Sequence, residues 1–322
     1  MPISVIVSNF NGFKYLERLI STLEAQQDVT TEIIIVDRHS TDGSLEYLRR
    51  FPHIRVTSEP AITGLVAGYA AGAKLARYDH LFFCNEDMWF DPLCLARLQR
   101  HIDLSANIVA ADPWQWTYDG KSWIHGGVRF YRTKWEPNSP YPWRGVDFTV
   151  SLAEGDRVPF PCAGAFLMHR RAYEELGGWD TSFFLDHEDI DLFVRAWQRG
   201  WHCVTVPEAK VYHAVSASDS KVLANGSRVL PRRYIANRSN LVVIGLKYYS
   251  GASLLVAALG SFVPLISDVL KLRWRKLSLD VRSILATVRR MREVRAFRKR
   301  NRQWIQSRPG RQFFLQEDLT RP

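Results

Sequence analysis

The sequence has little of what marks several common classes of protein. It carries four cysteines in 322 residues and no CxxC pair, which argues against a disulfide framework or a zinc site and favours a reducing compartment. It shows no internal repeat and no low-complexity stretch, and it is 46% hydrophobic, so a fibrous or disordered protein is not expected. No basic region precedes the first apolar run, so we predict no secretory signal and a cytoplasmic catalytic part.

A hydrophobic run long enough to cross a bilayer is also missing. The uncharged run at 251–267 has 17 residues, with Pro264 and two glycines among them. Because a spanning helix needs about 20 apolar residues, we expect this run to dip into a membrane or to pack in a core.

Acidic residues are scarce in one segment. The chain has 43 Lys and Arg against 33 Asp and Glu, a formal net charge of +10. Thirteen of the basic residues lie between Lys271 and Arg302, where there are only two acids. The rest of the chain is therefore about neutral, and the globular body and the basic C-terminal segment need separate explanations.

The first 110 residues alternate strand-like apolar runs with helical patterns. This order predicts an α/β fold with a mainly parallel sheet flanked by helices. Apolar runs of the buried-strand type stand at 4–7, 32–36 and 80–84. Polar residues follow each of these runs, at the sheet edge where open parallel sheets bind ligands.

Two groups of acids could carry chemistry. Asn-Glu-Asp at 85–87 follows a predicted strand, where oxygen ligands could hold a divalent cation, although a solvated turn or helix cap is the alternative. Four further carboxylates crowd a predicted helix start: Asp186, Glu188, Asp189 and Asp191. Crowding raises at least one pKa, which suits a general base, although helix capping also favours acids there. Asp191 is the member expected to be structural, because Arg195 lies one helical turn further on.

The set of motifs resembles the inverting family 2 glycosyltransferases with a GT-A fold, and most closely their rhamnosyltransferase-like branch. The matching segments are SVIVSNFNG (4–12), EIIIVDRHSTDGS (32–44), LFFCNEDM (81–88), PCAGAFLMHRRAYEELGGWD (161–180), FFLDHEDIDLFVRAWQRGW (183–201) and VYHAVSAS (211–218). The resemblance implies a GT-A domain over 1–220. A helical, basic, membrane-associating extension would follow over 221–322.

The resemblance also implies donor-binding residues. Asp37 matches the family's acid that contacts the nucleotide. The other residues expected to line the donor pocket are Ser8, Asn9, Asn11, Asn85 and Glu86.

For metal binding and catalysis, the resemblance implies four residues. Asp87 matches the last acid of the metal-binding motif, whose first position here is an asparagine, and His213 resembles a late metal ligand for Mg²⁺ or Mn²⁺. A lone histidine is, however, more often structural. Asp189 is the expected general base, with Glu188 as the next choice.

An aromatic-rich segment at 112–160 interrupts the regular pattern. It predicts an inserted loop or a small antiparallel piece, at the place where the family resembled here builds acceptor contacts. Trp114 and Trp116, with Asp186, are the candidate acceptor residues. The alternative is that these rings pack a small core.

The C-terminal segment has the pattern of a basic amphipathic helix at an anionic membrane surface. Its apolar positions at helical spacing are Leu277, Val281, Ile284, Val288, Met291 and Val294. An oligomerisation helix with a solvated basic face, which would make a homo-oligomer, is the alternative. A nucleic-acid partner is not expected, because aromatic residues are not interleaved with the basic run.

Together these observations predict a metal-dependent, inverting glycosyltransferase of the hexosyltransferase type. It would move a sugar, with rhamnose as a candidate, from a nucleotide-diphosphate donor to a lipid-linked or polysaccharide acceptor in cell-surface glycan synthesis. It would act peripherally at the cytoplasmic face of the cell membrane. The alternatives are a different nucleotide-dependent transferase and a catalytically silent sugar-nucleotide or membrane-binding protein.

Overall fold

The computed structural model describes residues 1–59, 63–132, 144–147, 151–162, 164–214, 231–249, 263–308 and 313. The strands are β1 (Ile3–Asn9), β2 (Thr31–Asp37), β3 (Arg55–Ser58), β4 (His80–Asn85), β5 (Met88–Phe90), β6 (Ile108–Thr117), β7 (Trp123–His125), β8 (Arg129–Arg132), β9 (Arg144–Asp147), β10 (Arg157–Val158), β11 (Ala165–His169) and β12 (His202–His213). The helices are α1 (Phe13–Glu24), α2 (Ser44–Leu48), α3 (Leu65–Leu75), α4 (Cys94–Arg100), α5 (Arg170–Glu175), α6 (Glu188–Gln198), α7 (Pro231–Tyr248), α8 (Val263–Leu270), α9 (Trp274–Arg289), α10 (Met291–Arg300) and α11 (Arg302–Ser307).

One sheet runs through the molecule in the order β10-β12-β6-β11-β4-β1-β2-β3. Its half from β4 to β3 is parallel, as the alternation of strands and helices predicts. β11 enters antiparallel between β4 and β6, and β12 then runs parallel to β6. The predicted α/β fold is therefore confirmed, with a mixed sheet in which the first half is parallel.

Helices cover both faces of this sheet. Every residue of β1 is buried, because a strand between two helical layers has no solvent-facing side. Val5 and Val7 belong to the cluster that contains the apolar faces of α1 and α4. Ile6 and Phe83 belong to the opposite cluster, with the apolar faces of α3 and α6.

The C-terminal helices pack on the α6 side of the sheet. Buried residues of α7 and α10 belong to the same apolar cluster as α6: Val243, Ile244, Tyr248, Val294 and Phe297. The proposed domain boundary at residue 220 lies outside the described residues, as do residues 251–262 of the uncharged run. Among the helices that the structure describes, none is both long and apolar enough to span a membrane.

The aromatic-rich segment contributes regular strands. β6 extends through Trp114 and Trp116 and pairs with β7, while β8 and β9 form a separate antiparallel hairpin. An antiparallel piece is thus present, as one of the two predictions had it. Residues 133–143, which include Trp135 and Trp143, lie outside the described residues.

Candidate active site

The carboxyl ends of β1 and β2 form a polar edge on which Asp37 is fixed. The parallel register places Asn9 opposite Asp37. Asn9 Nδ2 donates to Asp37 Oδ2 at 2.7 Å, and the backbone N–H of Ser40 donates to Oδ1 at 2.8 Å. Asp37 is fully buried, so these bonds set the orientation of the carboxylate predicted to contact the nucleotide.

The loops that follow these two strands are tied together by Asn11. Its backbone N–H donates to Ser40 Oγ at 2.8 Å, and its Oδ1 accepts from the backbone N–H of Thr41 at 2.9 Å. Asn11 adopts a left-handed conformation with φ 52°, which asparagine tolerates better than most residues. The Ser8 hydroxyl turns away from this edge and donates to the carbonyl of Leu65 at 3.0 Å, which anchors the start of α3.

The metal pair predicted from distant parts of the chain is brought together by strand pairing. β5 pairs with β12 so that Met88 stands opposite His213, and Asp87 directly precedes Met88. Asp87 Oδ1 lies 3.3 Å from His213 Nε2. The other ring nitrogen, Nδ1, lies 3.1 Å from Gln115 Oε1.

The chemistry of this pair fits a divalent cation. The Gln115 amide oxygen can only accept a hydrogen bond, so Nδ1 of His213 is the donor in that contact, and Nε2 is the ring nitrogen that faces Asp87 and would be offered to a metal ion. Asp87 Oδ1 is buried and has no hydrogen-bond partner among the described residues. Two electron-rich atoms about 3 Å apart match neighbouring ligands of an octahedral ion with bonds of about 2.1 Å.

The pair supplies only part of a coordination shell. Within the described residues, no group of three or more His, Cys, Asp or Glu side chains is arranged to hold a metal. Mg²⁺ in phosphate-handling sites is commonly held by one or two carboxylates, waters and the substrate's own phosphates. Asp87 and His213 would therefore hold the ion jointly with a donor diphosphate.

Asn85 and Glu86 have different surroundings from Asp87. Asn85 Oδ1 accepts a hydrogen bond from the Tyr69 hydroxyl at 2.7 Å, so that oxygen is directed to α3. Glu86 packs beside Gly12, where an added Cβ would lie 2.4 Å from Glu86 Cγ. Burial and the charge of Asp87 raise the pKa of Glu86 to about 8, and Arg38 opposes this shift.

The first two residues of α6, Glu188 and Asp189, form an acid pair that follows a strained turn. Asp186 and His187 are both left-handed, with φ 67° and 68°. Glu188 is 4% exposed, and its Oε2 has no hydrogen-bond partner in the described part of the chain. Burial, followed by the charges of Asp189 and Asp186, raises the pKa of Glu188.

Electrostatic contacts connect this acid pair to the edge that holds Asp87. Tyr69, which donates a hydrogen bond to Asn85, also lies within electrostatic reach of Glu188. Burial raises the pKa of the Tyr69 hydroxyl, and the charge of Glu188 adds to that shift. Cys162, whose pKa burial raises to about 12, lies within electrostatic reach of Asp189 and close to Gln115. Tyr69 thus lies close to both Glu188 and Asn85, and Cys162 lies close to both Asp189 and Gln115, the residue that contacts His213.

Comparison with known proteins shows that the chain is similar to glycosyltransferases. Residues 4–177 match the family model described as "Glycosyl transferase family 2". The chain belongs to that family. It is 24% identical over 233 residues to the N-acetylglucosaminyl-diphospho-decaprenol L-rhamnosyltransferase of Mycobacterium tuberculosis, and this alignment covers 65% of our chain and 75% of that relative.

Solved structures show that this transferase has the GT-A fold. The crystal structure of GalNAc-T7 with UDP, GalNAc and Mn²⁺ matches with a TM-score of 0.60 and 18% identity, over 78% of our chain and 48% of that one. The mannosyltransferase PcManGT from Pyrobaculum calidifontis, in complex with GDP-Man and Mn²⁺, matches with a TM-score of 0.51 and 15% identity, over 90% and 86% of the two chains.

The other two acids at the start of α6, Asp186 and Asp191, form ion pairs. Asp191 is buried, pairs with Arg195 at 2.8 Å and contacts Lys247 Nζ at 2.6 Å, so its structural role is confirmed. Asp186, a candidate acceptor residue, pairs with Arg233 of α7 at 2.9 Å. That carboxylate is therefore engaged with the C-terminal extension.

The two candidate acceptor tryptophans are partly buried. Trp114 Nε1 donates to Thr205 Oγ1 at 3.2 Å, and its ring lies 5.6 Å from that of Trp123. Lys210 Nζ lies 5.7 Å from the Trp116 ring. These contacts resemble a small packed core, and an acceptor role for either ring stays a prediction.

Sequence reasoning missed several residues of this site. Arg38, directly after Asp37, is largely buried beside Glu86, and burial lowers its pKa. Tyr69, whose hydroxyl donates to Asn85, lies in α3, and Arg233 and Asn240 lie in the extension. Only Arg38 carried a usable signal, as a cation directly after a polar strand end.

Proposed function

We propose that this transferase inverts the anomeric centre of a sugar as it moves that sugar from a nucleotide-diphosphate donor to a lipid-linked or polysaccharide acceptor. The observation that carries this proposal is the meeting of Asp87 and His213 beside the Asp37 edge. Rhamnose is the proposed sugar, and cell-surface glycan synthesis the proposed process. The name of the mycobacterial relative, a rhamnosyltransferase acting on a decaprenol-linked sugar, supports rhamnose and a lipid-linked acceptor.

Donor binding would use the two strand ends already described. Asp37, fixed by Asn9 and the Ser40 backbone, contacts the nucleoside, and the backbone around Asn11 lines the same pocket. Arg38 adds a largely buried cation to the same edge. A divalent cation, Mg²⁺ or Mn²⁺, held by Asp87 and His213 would offset the charge of the diphosphate.

Asp189 is the proposed general base. Its carboxylate removes the proton from the acceptor hydroxyl while that oxygen attacks the anomeric carbon. The bond between the sugar and the diphosphate breaks, and the nucleoside diphosphate leaves with the electron pair. Glu188, whose neutral form is favoured by burial, keeps a second negative charge away from Asp189 and so leaves one base in the pair.

We also propose that the enzyme works peripherally at the cytoplasmic face of a membrane. The support is the concentration of basic residues between 271 and 302, which anionic lipids attract. A lipid-linked acceptor gives this attachment a purpose, because it keeps the site beside its substrate.

Donor turnover separates this proposal from a catalytically silent binding protein. Nucleotide sugars are incubated with the protein and Mn²⁺, and nucleoside diphosphate release is measured. We expect release that needs the metal and is lost in Asp87→Ala, and that persists in Asp119→Ala, a control acid in the β6–β7 turn. Donor binding without any release would instead support the silent binder.

A further inference from the structure

The helix α9 packs against the body through polar residues. Its buried side chains are Asp280, Ser283 and Thr287. Asp280 pairs with Arg238 of α7 at 2.9 Å, and the Thr287 hydroxyl donates to Ser239 Oγ at 3.1 Å. A surface helix of a globular protein normally turns its apolar face to the core, so α9 has the reverse arrangement.

The outward side of α9 is apolar. Trp274, Val281, Leu285 and Val288 are spaced so that they fall on one narrow stripe of the helix, and Trp274 is 63% exposed. Further exposed apolar residues lie directly before α9, in α8 and the turn after it: Ile266, Val269, Leu270 and Leu272. We call these eight residues the outer stripe.

The exposed apolar face of α9 differs from the face that the sequence predicts, so that prediction was wrong in most of its residues. Val281 and Val288 belong to both. Leu277, Ile284 and Met291 are instead half-buried, and Val294 is buried in the core. The reason is that α10 starts at Met291 and turns its own apolar face inward.

A row of cations runs beside the outer stripe. Arg275, Arg282 and Arg289 are exposed and lie at seven-residue intervals along α9, so they share one edge of the stripe. Lys271 and Arg273 flank the turn residues and are also exposed. An apolar strip bordered by cations fits the interface of an anionic bilayer, where apolar side chains enter the acyl boundary and cations meet headgroup phosphates.

We propose that the outer stripe is a membrane-insertion surface that docks on anionic phospholipid. This deepens the proposed peripheral attachment by naming its contact residues. A second copy of this chain is the poorer occupant, because a two-fold contact with the two α9 helices antiparallel brings two like-charged arginine rows together.

Vesicle co-sedimentation tests this surface with the full chain. The probes are vesicles of phosphatidylcholine alone and of phosphatidylcholine with phosphatidylglycerol. The stripe variant is Leu285→Gln with Val288→Gln, which changes no charge. The matched control is Leu75→Gln with Leu104→Gln, two exposed leucines elsewhere on the molecule.

We expect the unchanged protein and the control to bind the anionic vesicles, and the stripe variant to bind at least about tenfold more weakly. Equal binding by the stripe variant, or no binding by the unchanged protein, would overturn the proposal. A dimer in ultracentrifugation that the stripe variant alone dissociates would assign the stripe to a second copy. Donor turnover without vesicles should be unchanged in the variant, so failure of the reaction proposal is detected separately.

An independent observation concerns the turn before the acid pair. Asn240 Nδ2 donates to the carbonyls of Leu185 and Asp186 at 2.9 and 2.8 Å. Arg233 donates to both carboxylate oxygens of Asp186, at 3.1 and 2.9 Å. The two left-handed residues are thus held by α7, and backbone strain of this kind persists only where surrounding contacts fix it.

We infer that Arg233 and Asn240 are positioning residues for the acid pair, so that the extension completes the active site. This inference rests on the proposed roles of Glu188 and Asp189. Besides these two acids, the main charged and titratable groups that act on Glu188 in the described part of the chain are Asp186, Tyr69 and Arg233. Arg233 holds the pKa of Glu188 down against the larger effect of burial.

The pH dependence of turnover tests this role. Glu188 and Asp189 titrate as a coupled pair, so the acidic limb of the kcat profile reports the pair rather than either acid alone. In Arg233→Gln, which removes a nearby cation, we expect kcat to fall at least about tenfold, donor KM to stay, and that acidic limb to move to higher pH. Arg233→Lys should restore part of both. The control Arg238→Gln removes an ion pair with Asp280 from the same helix. Among the described residues Arg238 makes no hydrogen bond or ion pair with the turn, so this variant should leave the acidic limb in place.

An unmoved acidic limb in Arg233→Gln would contradict the positioning role. If Asp189→Asn and Glu188→Gln were both fully active, the failure would lie in the proposed reaction instead.

Discussion

At the scale of single residues, the two neighbouring acids of α6 have separable roles. Asp189→Asn removes the proposed base, and a positioned base contributes roughly 10²–10⁴-fold to a rate. We expect kcat to fall by about that factor with donor KM unchanged. Glu188→Gln replaces a carboxyl whose neutral form is already favoured, so its loss should be smaller. Steady-state kinetics on both variants measures the order, and a larger loss in Glu188→Gln would reverse the assignment.

The buried carboxyl of Glu188 also makes stability depend on pH. Its pKa in the folded protein lies above the ordinary 4.5, so its contribution to stability is full below that pH and is lost as the pH rises through the raised pKa. Glutamine cannot ionise. The free energy of unfolding of Glu188→Gln relative to the unchanged protein should therefore rise as the pH is increased from 4.5 towards alkaline pH. Urea unfolding across this range measures it, and a flat or falling difference would contradict the burial argument.

At the scale of elements, α7 is attached to α6 by a buried cation. Lys247 Nζ lies 2.5 Å from Asp180 and 2.6 Å from Asp191. Burial alone would raise the pKa of Asp180, but Lys247 holds it below its ordinary value. Removing one partner of a buried ion pair leaves the other charge without compensation, at a cost of about 3–5 kcal/mol.

We expect Lys247→Met to lower the free energy of unfolding by about that amount. Lys121→Met, which removes an exposed pair with Asp119, should change it little because solvent screens such pairs. Equal losses in the two variants, measured by urea unfolding, would show that α7 is not attached through this contact.

Elements differ in how far sequence predicts them. β1, β2 and β4 are continuous apolar runs because helices cover both their faces, and that composition is visible in the sequence. β6 was missed because its second half, PWQWT, alternates partly buried rings with polar residues on a strand that also pairs with β7. β11 was missed because its place between β4 and β6 depends on partners far away in the chain.

The candidate site shows the same division. Asp37 and Asp87 come at the ends of strands that the sequence predicts, so their position at the sheet edge could be predicted. Contacts from the extension, such as those of Arg233 and Asn240, depend on how α7 packs, and no local pattern encodes that packing. For α9 the sequence shows the helical spacing of the apolar residues. The side that faces outward depends on the ion pair between Asp280 and Arg238 of α7, which no local pattern predicts.

At the scale of the whole molecule, the account depends on residues from separate parts of the chain serving one bound donor. β5 and β12 bring Asp87 to His213. The pairing of β4 with β1 places Asp87 close to the polar edge that carries Asp37. If these two side chains hold the same ion, removing either one should remove most of what the pair contributes.

A double-mutant cycle on metal-dependent donor turnover tests this most directly. Asp87→Asn, His213→Gln and the double variant are compared with the unchanged protein at saturating Mn²⁺. We predict a non-additive cycle, in which the double variant loses little more than either single variant. Losses in kcat/KM that multiply would show that Asp87 and His213 act independently, and would contradict the shared site.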